Sequence, residues 1–518
     1  MNRALAALAV CVAAVVPYGA TLNDYFVQDD FGVVWLLSQK PWSSFPGWFV
    51  STWMDRIWGY TPDEIRPFPA FTYQVAALAG AGSPVINHVF NVALHAANGL
   101  LVLAIAQAVA GLELTAATFA ALVFVLLPIQ VESVAWVTGR VDSMPAFFYM
   151  LAFLLYVRWR RANVGQPVRA PNLYWASVLT FFVALFTKQN TITLGPTLVV
   201  YDLVLARRPI RISWHWLKPY LPFAVLTIAY LVLRYILFGE VARESQLTES
   251  GLEYFAVLVV RHLRRMVFGA VTYGTPLLGV MAALLVAVLL WAAPRVTGFF
   301  VAWWVLSVAP VVVAAYESPR HIYLASVAWA VLLGCALQLV PRTRIIRVAA
   351  WAGAASLLLV YGVQLVRVIS DWETRALVSR TAVHDLEREA LRAPEGALIV
   401  ATVPVPSWEW ALPFVLRPPF VGSNLEQRVD VISPQRLHCC RSEWEAFTRA
   451  HIRAWLERSD RAPVIALRWD APTGTMYRLS EQEEPYLRSL MEVLVQTDSA
   501  AALDRGLYDL ANRLPRAR

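Results

Sequence analysis

The chain has 518 residues, of which 58% are hydrophobic and only 15% charged, with a mean hydropathy of +0.52. That is more apolar surface than one water-soluble core can bury, so lipid must be the second solvent. The net charge of +8 lies mostly as arginine clusters in short segments between apolar runs, where it sets topology, and this excludes nucleic acid as a partner.

Apolar windows long enough to cross a bilayer fall at about 4–22, 87–110, 114–133, 144–158, 173–187, 190–206, 219–239, 273–293, 297–316, 321–340 and 348–366, predicting about eleven spans. The first is read as an uncleaved span rather than a signal peptide ending near Gly19-Ala20. Arg158, Arg160, Arg161 and Arg169, then Arg207, Arg208, Arg211 and Lys218, then Arg342, Arg344 and Arg347 recur at every second boundary and are expected on the cytoplasmic side. The segments 23–86, 134–143, 187–190, 240–253 and 317–320 then face the opposite side and hold nearly all the remaining charge.

Just past the first span come two adjacent carboxylates, Asp29 and Asp30, followed by an aromatic-rich loop of about sixty residues; loops of that length are usually functional. A carboxylate there can serve as a base for an acceptor hydroxyl; a solvated acidic turn is the plainer alternative. Arg66-Pro67 follows, and then His88, Asn91, His95 and Asn98 at helical spacing on one face, lining either a wet cavity or a set of interhelical hydrogen bonds. Shared metal ligation by the two histidines is awkward, because seven residues separate them by about two turns.

The elbow from Leu127-Pro128 to Asp142 carries Glu132, Trp136, Gly139 and Arg140. Arg140 either pairs with Asp142 or presents its planar fork to a phosphate. Of the 44 basic residues only Lys40, Lys188 and Lys218 are lysines, so Lys188, kept at an outer elbow, suggests a compact ammonium is wanted there. Residues 254–268 have an apolar stripe against Arg261, Arg264 and Arg265, which fits an interfacial helix better than a twelfth span. Glu317, Arg320 and Tyr323 lie on the same outer face, where arginines suit a lipid phosphate head.

From Asp371 the composition changes to a charged helical stretch up to about Arg392, strands near 397–403 and 464–467, and amphipathic helices between and after. The expected division is a membrane domain over 1–370 and a small extracytoplasmic α/β domain over 371–518. Cys11 and Cys335 lie inside apolar runs and Cys439-Cys440 are adjacent, so no disulfide framework or zinc spacing is expected. No tetratricopeptide-like period is present.

Taken in order, these stretches resemble the GT-C superfamily of lipid-linked-sugar glycosyltransferases, and within it the protein O-mannosyltransferase-like branch that in animals carries tetratricopeptide repeats. The matching positions are Asp29-Asp30, Arg66-Pro67, His88/Asn91/His95, Pro128 through Asp142, Lys188-Gln189 and Arg320-His321-Ile322-Tyr323. Leu127 stands where the branch has an elbow histidine and Gln189 where it has an acid, and Glu317 is set apart from Arg320.

The resemblance implies an inverting transferase that moves a sugar, mannose-like, from a polyprenyl-phosphate donor to an acceptor hydroxyl, on protein, at the extracytoplasmic face. It implies Asp29 and Asp30 as catalytic groups, with a divalent cation (Mg or Mn) on them if one is used. Arg140, Lys188, Arg320, Arg261 and Arg264 would bind the donor phosphate, and Arg66, His88, Asn91, His95, Glu132, Asp142 and Tyr323 would line the site. The expected partners are membrane lipids, the donor, and a protein or glycan acceptor; the expected compartment is a bacterial inner membrane with the site facing the periplasm. Transfer to a lipid or glycan, or transport of a lipid-linked substrate, are the rival readings.

Overall fold

A computed structural model describes residues 2–54, 64–80, 82–163, 170–208, 213–241, 247–269, 275–341, 343–406, 408–432 and 463–478, with a few isolated positions besides. Its helices in chain order are α1 (Arg3–Val15), α2 (Asp30–Ser38), α3 (Pro67–Gly80), α4 (Val85–Ala108), α5 (Leu114–Leu126), α6 (Val131–Ala135), α7 (Arg140–Ala162) and α8 (Pro171–Leu185). These are followed by α9 (Leu194–Val204), α10 (Trp214–Leu217), α11 (Leu221–Phe238), α12 (Leu247–Phe268), α13 (Thr275–Ala292), α14 (Pro294–Val313), α15 (Ser326–Gln338) and α16 (Arg344–Arg392).

Among the described residues five helices are long and apolar enough to cross a membrane: α4, α7, α11, α14 and α16. A sixth span is formed if α5 and the Pro128–Ala135 segment count together, bent by 50°. The bend has a local cause: Leu127 is extended at φ −67°, ψ 122°, as the residue before a proline must be. Four shorter apolar helices, including α1, α8 and α15, complete the bundle. The expected spans are thus all helical, but several are shorter than the bilayer is thick. α12 is not among the crossing helices.

α1 is built into the bundle, with Ala6, Val10 and Ala14 buried against the neighbouring helices. α16 runs unbroken for 49 residues, so the apolar window at 348–366 and the charged stretch after Asp371 are one helix. Among the described residues four strands follow it: β1 (Leu398–Thr402), β2 (Asp430–Ile432), β3 (Val464–Asp470) and β4 (Thr475–Arg478), ordered β2-β1-β3-β4. β1 pairs in parallel with β2 and β3, Leu398 lying opposite Asp430 and Val464, while β3 and β4 are antiparallel. Leu398 through Ala401 are buried on both faces, as a central parallel strand requires. The amphipathic helices expected after β2 and β4, and Cys439-Cys440, lie outside the described residues.

Two apolar cores result. One fills the helix bundle. The other joins α2 and the first long loop to the outer half of α16 and the sheet, bringing Phe26, Phe31, Val34, Trp48 and Tyr73 together with Leu386, Ile399, Phe414 and Ile465.

Candidate active site

The outer ends of the helices bring charge together from five separate stretches of chain. Asp29 caps α2 and is half-buried, and Asp30 is buried behind it. Asp30 Oδ2 accepts the Val27 N–H at 3.1 Å, and Oδ1 accepts the Thr138 N–H at 2.9 Å together with the Thr138 hydroxyl. The Thr138 hydroxyl also lies 3.4 Å from Asp29 Oδ1. Asp30 therefore ties the first loop to the elbow before α7, and its oxygens point inward.

This leaves the two carboxyls unlike. Burial pushes Asp29 up to about 6 against the pull of Arg320. Burial, and next the neighbouring Asp29 charge, push Asp30 up to about 8. Both carboxyls are thus raised by burial, and the pair titrates as a coupled unit in which each charge discourages the other.

Across from Asp29 lies Arg320, in the turn before α15. Its Nε is 3.4 Å from Asp142 Oδ2, its Nη1 is 3.7 Å from Glu132, and its guanidinium sits 4.4 Å above the Trp136 ring. Asp142 also pairs with the Lys188 ammonium and lies 3.4 Å from His321 Nδ1, which is itself 3.3 Å from Lys188 Nζ. The Arg320 side chain is 22% exposed and the Asp142 side chain only 2%, so Arg320 is the open face of a network whose anchor is buried. Arg66 pairs with Glu64 at 2.8 Å, close enough for its charge to act on Lys188 and for Glu64 to act on Asp29.

The remaining expected residues hold the site's walls. Arg140 is buried; it donates to Asn91 Oδ1 at 2.8 Å, to Thr72 Oγ at 3.0 Å and to Asn87 Oδ1 at 2.7 Å, and it lies 4.4 Å above the Tyr73 ring. It does not pair with Asp142, and its fork is filled by protein acceptors. Asn91 Nδ2 donates to the Trp136 carbonyl at 2.9 Å, and Asn98 Nδ2 to the Ser143 carbonyl at 3.0 Å. His95 meets the Tyr323 hydroxyl at 2.7 Å and the Val125 carbonyl at 3.1 Å through its two ring nitrogens, while His88 meets the Asp24 carbonyl at 3.1 Å.

The polar face of α4 is thus a ladder of interhelical hydrogen bonds that fastens the elbow. Gly139 completes it: a Cβ there would stand 2.1 Å from the Glu132 carbonyl oxygen, so the elbow closes only around a residue with no side chain.

Arg261 is bound to Glu317 at 2.5 Å, with Tyr254 donating to the same carboxylate at 2.7 Å. Glu317 stands in the same turn as Ser318, whose hydroxyl donates to Glu132 at 2.6 Å, so Arg261 adjoins the Arg320 network through that turn, while Arg264 is exposed and borders an apolar groove of about 700 Å³ between α12, α13, α14 and α15. Val260, Ala283, Leu290, Trp304 and Leu332 are among the groove's walls.

Among the described residues no group of three or more His, Cys, Asp or Glu side chains is arranged to hold a metal ion. Of the Asp29-Asp30 pair, Asp30 engages both oxygens with Val27 and Thr138, which leaves Asp29 as the more open carboxylate.

The chain's architecture is similar to that of ArnT from Cupriavidus metallidurans bound to undecaprenyl phosphate, with a TM-score of 0.54 at 15% identity over 92% of this chain and 96% of that one. The fold is GT-C. The Archaeoglobus fulgidus oligosaccharyltransferase in its apo form is a further GT-C neighbour, with a TM-score of 0.50 at 12% identity over 89% of this chain and 69% of that one.

Among curated proteins the GT-C chain is similar to human protein O-mannosyl-transferase TMTC4, at 27% identity over 219 residues, 38% of this chain and 29% of the relative. The Drosophila melanogaster protein O-mannosyl-transferase Tmtc1 is 30% identical over 204 residues, 37% of this chain and 22% of the relative. The chain therefore spans less than a third of the length of these relatives. No protein-family model matches it. The expected resemblance to protein O-mannosyl-transferases and the polytopic helical membrane fold are borne out.

The site residues that the sequence did not single out are Glu64, Thr138 and His321. Thr138 lies inside the elbow motif, but its role appears only when Asp30, 108 residues away, is laid against it.

Proposed function

We propose that this chain is a membrane glycosyltransferase that takes a sugar from a polyprenyl-phosphate donor and passes it, with inversion, to an acceptor hydroxyl on protein. The observation that carries this reading is that the half-buried Asp29 carboxyl lies within the field of Arg320, which is backed by Asp142 and Lys188, at one end of the bundle. The arginine-rich turn around Arg160 lies at the other end of α7, about 30 Å away at 1.5 Å per residue, where Arg160 pairs with Asp202. The positive-inside tendency assigns that end to the cytoplasm and the Asp29 end to the extracytoplasmic face, the periplasm in a bacterial inner membrane.

In this reaction Asp29 accepts the proton of the acceptor hydroxyl as its oxygen attacks the anomeric carbon. The bond from that carbon to the phosphate oxygen breaks, and polyprenyl phosphate departs with the electron pair. Arg320, the open member of the network, meets the charge gathering on the leaving phosphate, and the buried Lys188 and Arg66 add their field from behind it in a site screened from water, where such charges act most strongly. The apolar groove beside α12 suits the prenyl tail, since its walls are almost wholly hydrocarbon.

Arg140 belongs to this machinery as a positioning residue that fixes the elbow carrying Asp142, rather than as a phosphate ligand. Residues 1–370 are taken as the transferase body and 371–518 as an outer α/β unit. Mannose as the sugar rests on the similarity to the protein O-mannosyl-transferases.

Purified protein incubated with a panel of radiolabelled polyprenyl-phosphate sugars and a peptide acceptor pool tests the reading. Label moving from one donor to peptide is the expected result. Transfer only to lipid or glycan would overturn the acceptor, and absence of transfer from every donor would overturn the reaction.

A further inference from the structure

The turn that carries Asp29 is not held by its own backbone alone. Gln28 has φ +54°, a left-handed conformation that a side-chain-bearing residue adopts at a cost and keeps only where its surroundings insist. Those surroundings come from the far end of the chain. Phe420 packs on Phe26 and Phe31, the aromatic rings flanking the turn, at centroid distances of 5.5 and 4.6 Å. Pro419, beside it, fills the space over Gly82, where a Cβ would stand 2.5 Å from the proline ring. Gly82, at φ +86°, forms the corner between α3 and α4.

A second tie runs parallel to the first. The Ser379 hydroxyl, on the outer half of α16, donates to the Phe26 carbonyl at 2.7 Å, and the Trp408 indole N–H donates to that hydroxyl at 3.1 Å.

We propose that Pro419-Phe420 is a positioning wedge, seated between the Asp29 turn and the α3–α4 corner, through which the outer unit sets the geometry of the catalytic carboxylate. The inference rests on the transferase reading given above. Neither residue touches the reacting atoms. What the wedge contributes is a fixed distance from Asp29 to Arg320 and exclusion of water from the back of the turn.

Removing the ring frees the turn to relax toward an ordinary backbone conformation and to hydrate, which weakens the burial that keeps the carboxyl high. In the full-length chain, Phe420→Ala should lower kcat at least tenfold and leave the donor KM within about twofold. The acidic limb of the pH–rate profile should move to lower pH, and Phe420→Tyr should restore both. A melting temperature measured alongside separates this from partial unfolding.

Wild-type kcat and an unmoved acidic limb in Phe420→Ala would overturn the wedge while leaving the transferase reading intact. So would a loss of rate that merely tracks the unfolded fraction. Amide exchange at Val27 and Asp30 gives a readout that needs no activity. Faster exchange there in Phe420→Ala with other turns unchanged supports the wedge even if no donor is found, and unchanged exchange refutes it.

Discussion

The sharpest consequence of the site geometry is a pH dependence carried by one carboxylate. With Asp29 raised to about 6, its ionised fraction is roughly 0.9 at pH 7 and roughly 0.1 at pH 5 by simple titration. Transfer measured as kcat/KM with a radiolabelled donor should therefore fall about tenfold between those values, with unit slope below the limb. Asp29→Asn should lose about 10²- to 10⁴-fold of kcat, the usual contribution of a general base, and its residual rate should lose the acidic limb. Both halves are needed: a limb near 6 that survives in Asp29→Asn shows that another group titrates, and an unaffected rate removes Asp29 from the reaction.

Three other outcomes follow from the same contacts. Lys188→Ala strands the buried Asp142 carboxylate and should destabilise the protein by about 3–5 kcal/mol, with Asp142→Asn in the same chain recovering part of the lost melting temperature; equal melting of the single and double variants would show that Arg320 and His321 already satisfy Asp142. Gly139→Ala drives a methyl group into the Glu132 carbonyl and should cost about 1–3 kcal/mol and most of the activity, whereas wild-type melting and rate would show that the elbow can yield. Asp30, raised to about 8, binds a proton more tightly folded than unfolded. Its share of stability is thus complete below about pH 4 and lost as pH rises through about 8; Asp30→Asn should flatten that slope in chemical denaturation, and a parallel slope would refute the assignment.

The outer elbows could be read from the sequence because each interrupts an apolar run, and a charge at such a place must have a reason. Asp29, Lys188 and Arg320 were found that way, and the fold does bring them to one end of the bundle. The α4 face was harder. His88, Asn91, His95 and Asn98 have the spacing of a site and the spacing of a hydrogen-bonded helix contact, and only the partners, mostly backbone carbonyls of neighbouring segments, tell the two apart.

Arg140 was placed on the phosphate for the same reason, since its neutral acceptors Asn87 and Thr72 carry no charge to advertise the pairing. Glu64 was passed over because a lone acid in a long loop looks solvated until Arg66 and Asp29 are seen beside it. The composition change at residue 371 falls inside one element: a helix satisfies its own backbone, so α16 runs through it from Arg344 to Arg392 without a break.

That continuity has a mechanical consequence. At 1.5 Å per residue, 49 residues make a rod about 74 Å long, more than twice the hydrocarbon thickness of roughly 30 Å. Such a rod reaches well past the hydrocarbon, so one continuous backbone carries Tyr361 and Leu365 in the bundle core and Ala382 and Leu386 in the core around Phe26 and Phe31. The two layers thus share a single rigid strut, with no hinge residue between them.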